Sequence, residues 1–215
     1  NVRANRCITM ATIIFDLDGT IADSFDYITD FLANEKNQQK LDPVQKEQLK
    51  GMSMLAIARK LNHRWWGMPM LFLRGRRNME VTMNKMQPFA GMPELIRKVH
   101  AEGHELFIVS SNSVKNIHKF LHHHHLHTYF LEVYGGVSIF GKAPALRQLF
   151  KEQNIEAKDA IYVGDELRDI QACKSVGLRI VAVSWGFANK QELENLKPTA
   201  IVDSPNDLMS YLEEI

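Results

Sequence analysis

The sequence predicts an α/β fold, a Rossmann-like doubly wound parallel sheet that carries one small helical insertion. Three observations predict it. Short apolar runs alternate with helical patterns, the runs are apolar throughout rather than at every second residue, and one stretch near the start breaks the alternation. Uninterrupted apolar runs suit strands covered on both faces, which is the usual condition in a parallel sheet.

The strands are expected at "TIIF" (12–15), "ELFIV" (105–109), "AIYV" (160–163), "RIVAVS" (179–184) and, more weakly, "TAIV" (199–202), with "LEVYGGV" (131–137) a further candidate. Helices fall between them. "MPELIRKVHAEG" has Pro93 in its first turn, apolar Leu95, Ile96 and Val99, and Gly103 as a stop; these are the residues that open and close helices. "APALRQLFKEQN" repeats the pattern from Pro144, with Leu146, Leu149 and Phe150 apolar. Residues 22–88 contain no convincing strand and read as helices, for example "FDYITDFLANEK" and "MSMLAIARKL". The expected organisation is a discontinuous core, 10–21 and 89–215, with a helical insertion at 22–88 hinged near Ile21–Asp23 and Pro88–Gly91.

Bulk properties restrict the function classes. A chain of 215 residues suits one medium-sized domain, or a domain with an insertion, and buries a substantial core. Lys and Arg number 26 against 25 Asp and Glu, a formal charge of +1. A chain so close to neutrality has no general field for polyanions, so nucleic acid is not an expected partner and phosphate recognition must be local. The apolar fraction of 45% argues against disorder. No run approaches the roughly 18 apolar residues of a membrane span, so no membrane association is expected. Cys7 and Cys173 are few and far apart, which fits a reducing compartment. The opening "NVRANRCIT" lacks a signal peptide's apolar stretch, and Met10 directly precedes "ATIIFDLDGT". Residues 1–9 are therefore either native or an upstream extension or remnant of expression. A cytoplasmic location is expected; oligomeric state is left open.

Ligands of parallel α/β sheets bind at the carboxyl ends of the strands, so the residue that ends each strand is a candidate. "FDLDGT" (15–20) ends the first strand in Asp16 and Asp18; the second ends in Ser110, Ser111 and Asn112; Lys142 stands just before a helix that begins at Pro144; "AIYV" runs into "GDELRD", with Asp165, Glu166 and Asp169. Carboxylates and a main-chain carbonyl are the hard oxygen donors that Mg²⁺ prefers. A carboxylate is also a competent nucleophile towards phosphorus. An anionic nucleophile approaching a phosphate needs countercharge, which a metal and Lys142 supply. Ser110 and neighbouring N–H groups suit phosphate oxygens at a strand-to-helix turn, and Ser111, Asn112 and Lys142 are candidates for the same role. Asp18, two residues beyond Asp16, is placed to act as general acid and base. Gly19 and Thr20 turn the chain away towards the insertion.

Taken in order, "FDLDGT", the serine after an apolar strand, the lysine before a helix and "GDELRD" resemble the four motifs of the haloacid dehalogenase superfamily. The resemblance covers residues 10–21 and 89–215. "GMPELIRKVHAEGHELFIVSSNS" is most similar to the phosphoglycolate phosphatase-like branch, and the 22–88 insertion resembles that superfamily's helical cap of the first type. The resemblance implies a phosphatase acting on a small phosphorylated metabolite through an aspartyl-phosphate. Asp16 would be the nucleophile and Asp18 the acid–base; Asp16, the Asp18 carbonyl and Asp165 would hold Mg²⁺; Ser110 would bind the phosphoryl group. Lys142 would orient and neutralise Asp16, with Asp169 and Thr20 supporting.

Other readings stand beside these. D-x-D-G alone is a common surface turn. The choice between Ser110 and Ser111 depends on register, and Asn112 either meets substrate or caps the next helix. Glu166 is expected to be simply favourable at a helix N-terminus. His118, "HHHH" (122–125) and His127 invite a metal site, yet consecutive histidines point all round a helix, so a solvated face is expected. In "HRWWGMPMLFLRGRRNME" (63–80) the tryptophans and leucines are expected to pack the insertion, and of the insertion's arginines one or two of Arg59, Arg64, Arg74 and Arg77 are expected to face the active site and read a substrate carboxylate or second phosphate. A sugar-phosphate mutase of the same superfamily is the nearest alternative activity. A dehalogenase of that superfamily would lack the second aspartate. A phospho-receiver module would place its accepting aspartate on a later strand and carry no insertion, and a catalytically silent binding protein would not fill every chemical position.

Overall fold

The computed structural model describes residues 11–35, 41–52, 54–137 and 141–214; the reading of residues 1–9 and of Met10 falls outside them. Strand β1 (Thr12–Phe15) leads into four helices, α1 (Phe25–Asn34), α2 (Pro43–Glu47), α3 (Met54–Lys60) and α4 (Met68–Thr82). The alternation then resumes with α5 (Met92–Ala101), β2 (Glu105–Val109), α6 (Val114–His123), β3 (Glu132–Tyr134), α7 (Ala143–Gln153) and β4 (Ala160–Gly164). It closes with α8 (Leu167–Val176), β5 (Arg179–Val183), α9 (Lys190–Asn195), β6 (Ala200–Val202) and α10 (Pro205–Leu212).

The six strands form one sheet in the order β3-β2-β1-β4-β5-β6, with every pairing parallel. That is the doubly wound order, in which the chain reverses direction across the sheet beside β1 and opens a crevice there. Phe15 lies opposite both Ile108 and Val163, so β1, β2 and β4 end level and release their next residues into the same space.

Alternation along β1 explains the two helix layers. Ile13 and Phe15 point to a cluster with Leu95 and Ile96 of α5, Ile117 and Phe120 of α6 and Leu208 of α10. Ile14 points the other way, with Leu146 and Leu149 of α7, Ile170 and Cys173 of α8 and Leu193 of α9. Both faces are covered, which is why the strands read as continuous apolar runs; each fully buried side chain of this kind contributes about 1.5–3 kcal/mol. The predicted punctuation is present in α5, which starts at Gly91 in the left-handed region with Pro93 in its first turn.

The two connections between core and insertion run side by side. Asp23 N–H donates to Gln87 O and Phe89 N–H to Ile21 O, each at 2.9 Å. At its far end α4 docks on α6: Asn116 Nδ2 donates to Arg76 O at 2.8 Å and Lys119 Nζ to Glu80 O at 2.6 Å.

Two expectations about this region change. Trp65 and Trp66 do not pack the insertion; they are 74% and 62% exposed. They stand on a short turn ahead of α4, whose inward stripe is already filled by Met68, Leu71 and Met79. Of the histidine run, His122, His123 and His125 are exposed as expected, but His124 is half-buried and its Nε2 lies 2.8 Å from Met86 O. Among the described residues no helix is long and apolar enough to cross a membrane.

Candidate active site

Asp16 follows β1, Ser110 follows β2, Asp165 follows β4, Lys142 precedes α7 and Asp169 lies in the first turn of α8. The fold brings all five together, and all are buried. Lys142 is the hub. Its Nζ lies 2.5 Å from Asp16 Oδ2 and 2.8 Å from Asp169 Oδ1, and donates to Tyr162 Oη at 2.7 Å. An ammonium has three donors, and here each has a partner. The Tyr162 hydroxyl donates onward to Val109 O at 3.0 Å. Burial alone would push the lysine down, but the charges of Asp16 and Asp169 outweigh it and hold Lys142 above its ordinary range.

The carboxylates are pushed the other way. Burial raises Asp16, with Lys142 opposing. Asp16 Oδ1 accepts the Leu17 N–H at 2.7 Å. Burial, reinforced by the charge of Asp16, raises Asp18 to about 6. Asp18 Oδ2 accepts from Asn112 Nδ2 at 3.0 Å, whereas its buried Oδ1 makes no well-formed hydrogen bond. The nearby Ser24 hydroxyl helps to stabilise its charge. Burial also lifts Asp165 well above the usual carboxylate range, with the charges of Glu166 and Asp16 adding to it. Thr20 Oγ1 holds Asp165 Oδ1 at 3.0 Å and Phe187 N–H holds Oδ2 at 2.7 Å. Thr20 thus has a defined supporting contact.

Several assignments are sharpened. Ser110 is the fully buried serine of the turn, its Oγ accepting the Asn112 N–H at 3.2 Å; Ser111 is half-buried and faces the cleft. Asn112 does not cap α6. Ser113 does, its side chain accepting the Asn116 N–H, which frees Asn112 to hold Asp18. Glu166 sits at the N-cap of α8 in a reciprocal pair with Asp169, as expected for a group favoured there, and it also pairs with Arg168 at 2.6 Å.

A divalent cation fits this donor set. Five buried carboxyl groups, those of Asp16, Asp18, Asp165, Glu166 and Asp169, face two cations, Lys142 and Arg168, and three of the five are aspartates pushed upward by burial. Oxygens of Asp16, Asp165 and Asp169 lie within 4.8 Å of one another. Every oxygen of the three has a contact, Asp16 with the Leu17 N–H and Lys142, Asp165 with Thr20 and the Phe187 N–H, and Asp169 with Lys142 and the Glu166 N–H at 3.3 Å, and a carboxylate oxygen has lone pairs for more than one partner.

Tyr162, Gly186 and Arg76 are site residues that the sequence reading missed. A Cβ on Gly186 would stand 2.2 Å from Asp165 Cβ and 2.3 Å from its Oδ2, and a Cβ on Gly19, at φ +77°, would meet the same Oδ2 at 2.3 Å. Asp165 is seated between two glycines. Gly186→Ala is therefore expected to displace the carboxylate while leaving the sheet intact. Where the carboxylate serves as a ligand to a divalent cation, loss of its supports lowers activity about 10- to 100-fold, with a matching rise in the cation concentration for half-maximal rate, and a metal titration of the variant's turnover checks it. Arg76 is the basic residue of the insertion that reaches the cleft; Arg74 instead pairs with Glu35 at 2.9 Å, and Arg64 lies over the Trp66 ring. The signal was present, since residues 68, 71, 72, 75, 76 and 79 share one helical stripe and all line the cleft.

A doubly wound sheet with buried carboxylates, a serine and a lysine at its carboxyl edge has the groups that phosphoryl transfer uses. Residues 13–183 match the family model of the haloacid dehalogenase-like hydrolases, and the chain belongs to that family; its enzyme class is that of a phosphatase. It is 32% identical over 209 residues to a phosphoglycolate phosphatase of Synechococcus elongatus, covering 96% of this chain and 99% of that one. A phosphoglycolate phosphatase of Psychrobacter arcticus is 29% identical over 120 residues, 54% of this chain and 52% of that protein. The fold matches the crystal structure of a predicted phosphatase from Clostridium acetobutylicum with a TM-score of 0.79 at 22% identity, over 96% of this chain and 100% of that one.

Proposed function

We propose that the protein is a Mg²⁺-dependent phosphatase that hydrolyses a small phosphorylated metabolite through an aspartyl-phosphate on Asp16. The observation that carries this reading is the excess of buried carboxyl groups around one shared ammonium, Lys142, at the sheet edge. An Asp16 oxygen attacks phosphorus, the bond to the leaving oxygen breaks, and Asp18 gives that oxygen a proton. Asp18 then takes a proton from the water that cleaves the acyl phosphate, which returns Asp16. Burial raises Asp18 above the ordinary carboxylate range, which favours the proton that the acid step needs. Ser110 and the N–H groups of its turn hold the phosphoryl oxygens, and Lys142 keeps Asp16 in place. Mg²⁺ would be held by Asp16, the Asp18 main-chain carbonyl and Asp165, and when bound it neutralises charge between carboxylates and phosphate.

Residues 22–88 would act as a cap domain that closes over the substrate and excludes water, a role favoured by the paired hinges and by the contact of α4 with α6. A cytoplasmic setting goes with this reading; Cys173 is a buried free thiol. The name of the Synechococcus relative makes 2-phosphoglycolate the first substrate to try.

A phosphate-release screen over small phosphomonoesters, with and without Mg²⁺, tests the reading. Release that requires Mg²⁺ is expected; formation of an isomerised sugar phosphate without free phosphate would overturn it. Metal binding has a second readout. Asp18 rises from 3.8 to about 6 on folding, so its ionised form destabilises the metal-free fold by about 3 kcal/mol above pH 6, a cost that disappears as pH falls below 4. Asp16 and Asp165 act in the same direction. Mg²⁺ should therefore raise the melting temperature, and more so at pH 8 than at pH 5. An equal shift at both pH values would dissociate the metal from these carboxylates.

A further inference from the structure

The cleft that opens from Asp18 into the insertion is apolar over most of its wall, with Ile28, Phe31, Leu32, Met54, Leu71 and Phe72 among its lining. Arg76 is the only cation among the described lining residues. Its guanidinium is fixed from two sides. Nε donates to Ser111 O at 2.7 Å and Nη2 to Val137 O at 2.9 Å. Its own main-chain carbonyl accepts from Asn116 Nδ2 at 2.8 Å, and that amide also reaches Asn112 Oδ1 at 2.8 Å, the side chain that holds Asp18.

These partners orient Arg76 without neutralising it. Both guanidinium acceptors are neutral carbonyls, and no carboxylate among the described residues forms an ion pair with it. Neighbouring cations differ: Arg74 pairs with Glu35, and Lys46 with Asp26 and Asp30. Burial depresses the Arg76 guanidinium. A half-buried cation in an apolar wall attracts an anion more strongly than one in water. It is anchored on the main chain of Ser111, the residue next to Ser110, so it stands on the same turn as the serine proposed to hold the phosphoryl group.

We infer that Arg76 selects the substrate by pairing with a second anionic group on the leaving-group side of a short phosphomonoester. The inference rests on the phosphatase reading. The apolar wall complements Arg76 by offering polyhydroxylated leaving groups few hydrogen-bond partners, so that leaving them desolvated is costly.

The test measures kcat/KM for 2-phosphoglycolate, 1,2-ethanediol bisphosphate and the uncharged-tail analogue ethyl phosphate, in wild type, Arg76→Met and Arg76→Lys. Wild type should prefer at least one anionic-tail substrate over ethyl phosphate by about 30-fold or more, the range of a charge-assisted contact. Arg76→Met should collapse that ratio, and Arg76→Lys, which keeps charge without the fork, should reduce it part of the way. The preferred anionic arm tells whether the group is a carboxylate or a second phosphate. A wild-type ratio near one, or equal losses on all three substrates, would overturn the inference and leave Arg76 as a clamp between α4 and the core. Should Arg76→Met fail to fold, an unchanged ratio in Arg76→Lys overturns it equally. If wild type hydrolyses ethyl phosphate with Mg²⁺ but shows no preference, only this inference falls; if it hydrolyses no phosphomonoester, the phosphatase reading falls.

Discussion

Asp16→Asn is expected to lower phosphate release by about 10,000-fold or more, as for loss of a covalent nucleophile, while the protein stays folded. The two halves of that result have separate causes. The amide has no charge to attack phosphorus and forms no acyl phosphate, so no labelled phosphate should be trapped on the chain after acid quench. Stability is spared because Asp16 is a buried carboxyl raised by desolvation, and its ionised form costs the metal-free fold free energy. Lys142 still keeps Asp169 and Tyr162 as partners. Thermal melting in EDTA should therefore show little loss at alkaline pH, where the removed charge was least favourable. Wild-type turnover in Asp16→Asn would dismiss the covalent mechanism.

Lys142→Met is expected to damage the fold as well as the chemistry. The substitution removes the one ammonium shared by two buried carboxylates, Asp16 and Asp169, and leaves the Tyr162 hydroxyl without its donor. Breaking a buried pair on one side costs about 3–5 kcal/mol, which in a chain of this size lowers the melting temperature by about 6–20 °C. The sign of the pH dependence follows from the charges. The loss arises from ionised carboxylates, so it is largest at neutral and alkaline pH and shrinks as acid protonates them. Asp16 is raised by burial, so its charge is lost early on the way to acid pH, where the two proteins should melt closer together. A loss that is constant from pH 4 to pH 8 would mean that lost packing of the Lys142 stem, not unpaired charge, is responsible.

The core strands were legible because each is apolar along its whole length, a pattern forced by helices on both faces. β3 and β6 carry a weaker sequence signal for a physical reason. They are edge strands of three residues each, too short to show a period. The carboxylates that gather at the sheet edge were legible by position, since the residue that ends a parallel strand enters the ligand crevice. The roles of Asn112 and Ser113 were not, because either residue could cap α6 and only the turn geometry assigns the cap to Ser113. The tryptophans misled because large apolar residues usually seek the interior, whereas here the inner stripe of α4 is supplied by methionines and leucine.

By itself, the sequence determined the fold class, the helical interruption after β1, and which aspartates, serine and lysine gather at the sheet edge. Periodicity and strand ends are local properties, and they carry that much. Only the tertiary structure decided which contacts give those residues their chemistry. Gly186 makes room for a carboxylate 21 positions earlier, Tyr162 completes the shell of Lys142, and Arg76 reaches across from the insertion to the turn that follows β2. Those relations depend on chain segments distant in sequence arriving within a few ångströms of one another, a condition set by packing and not by any local pattern.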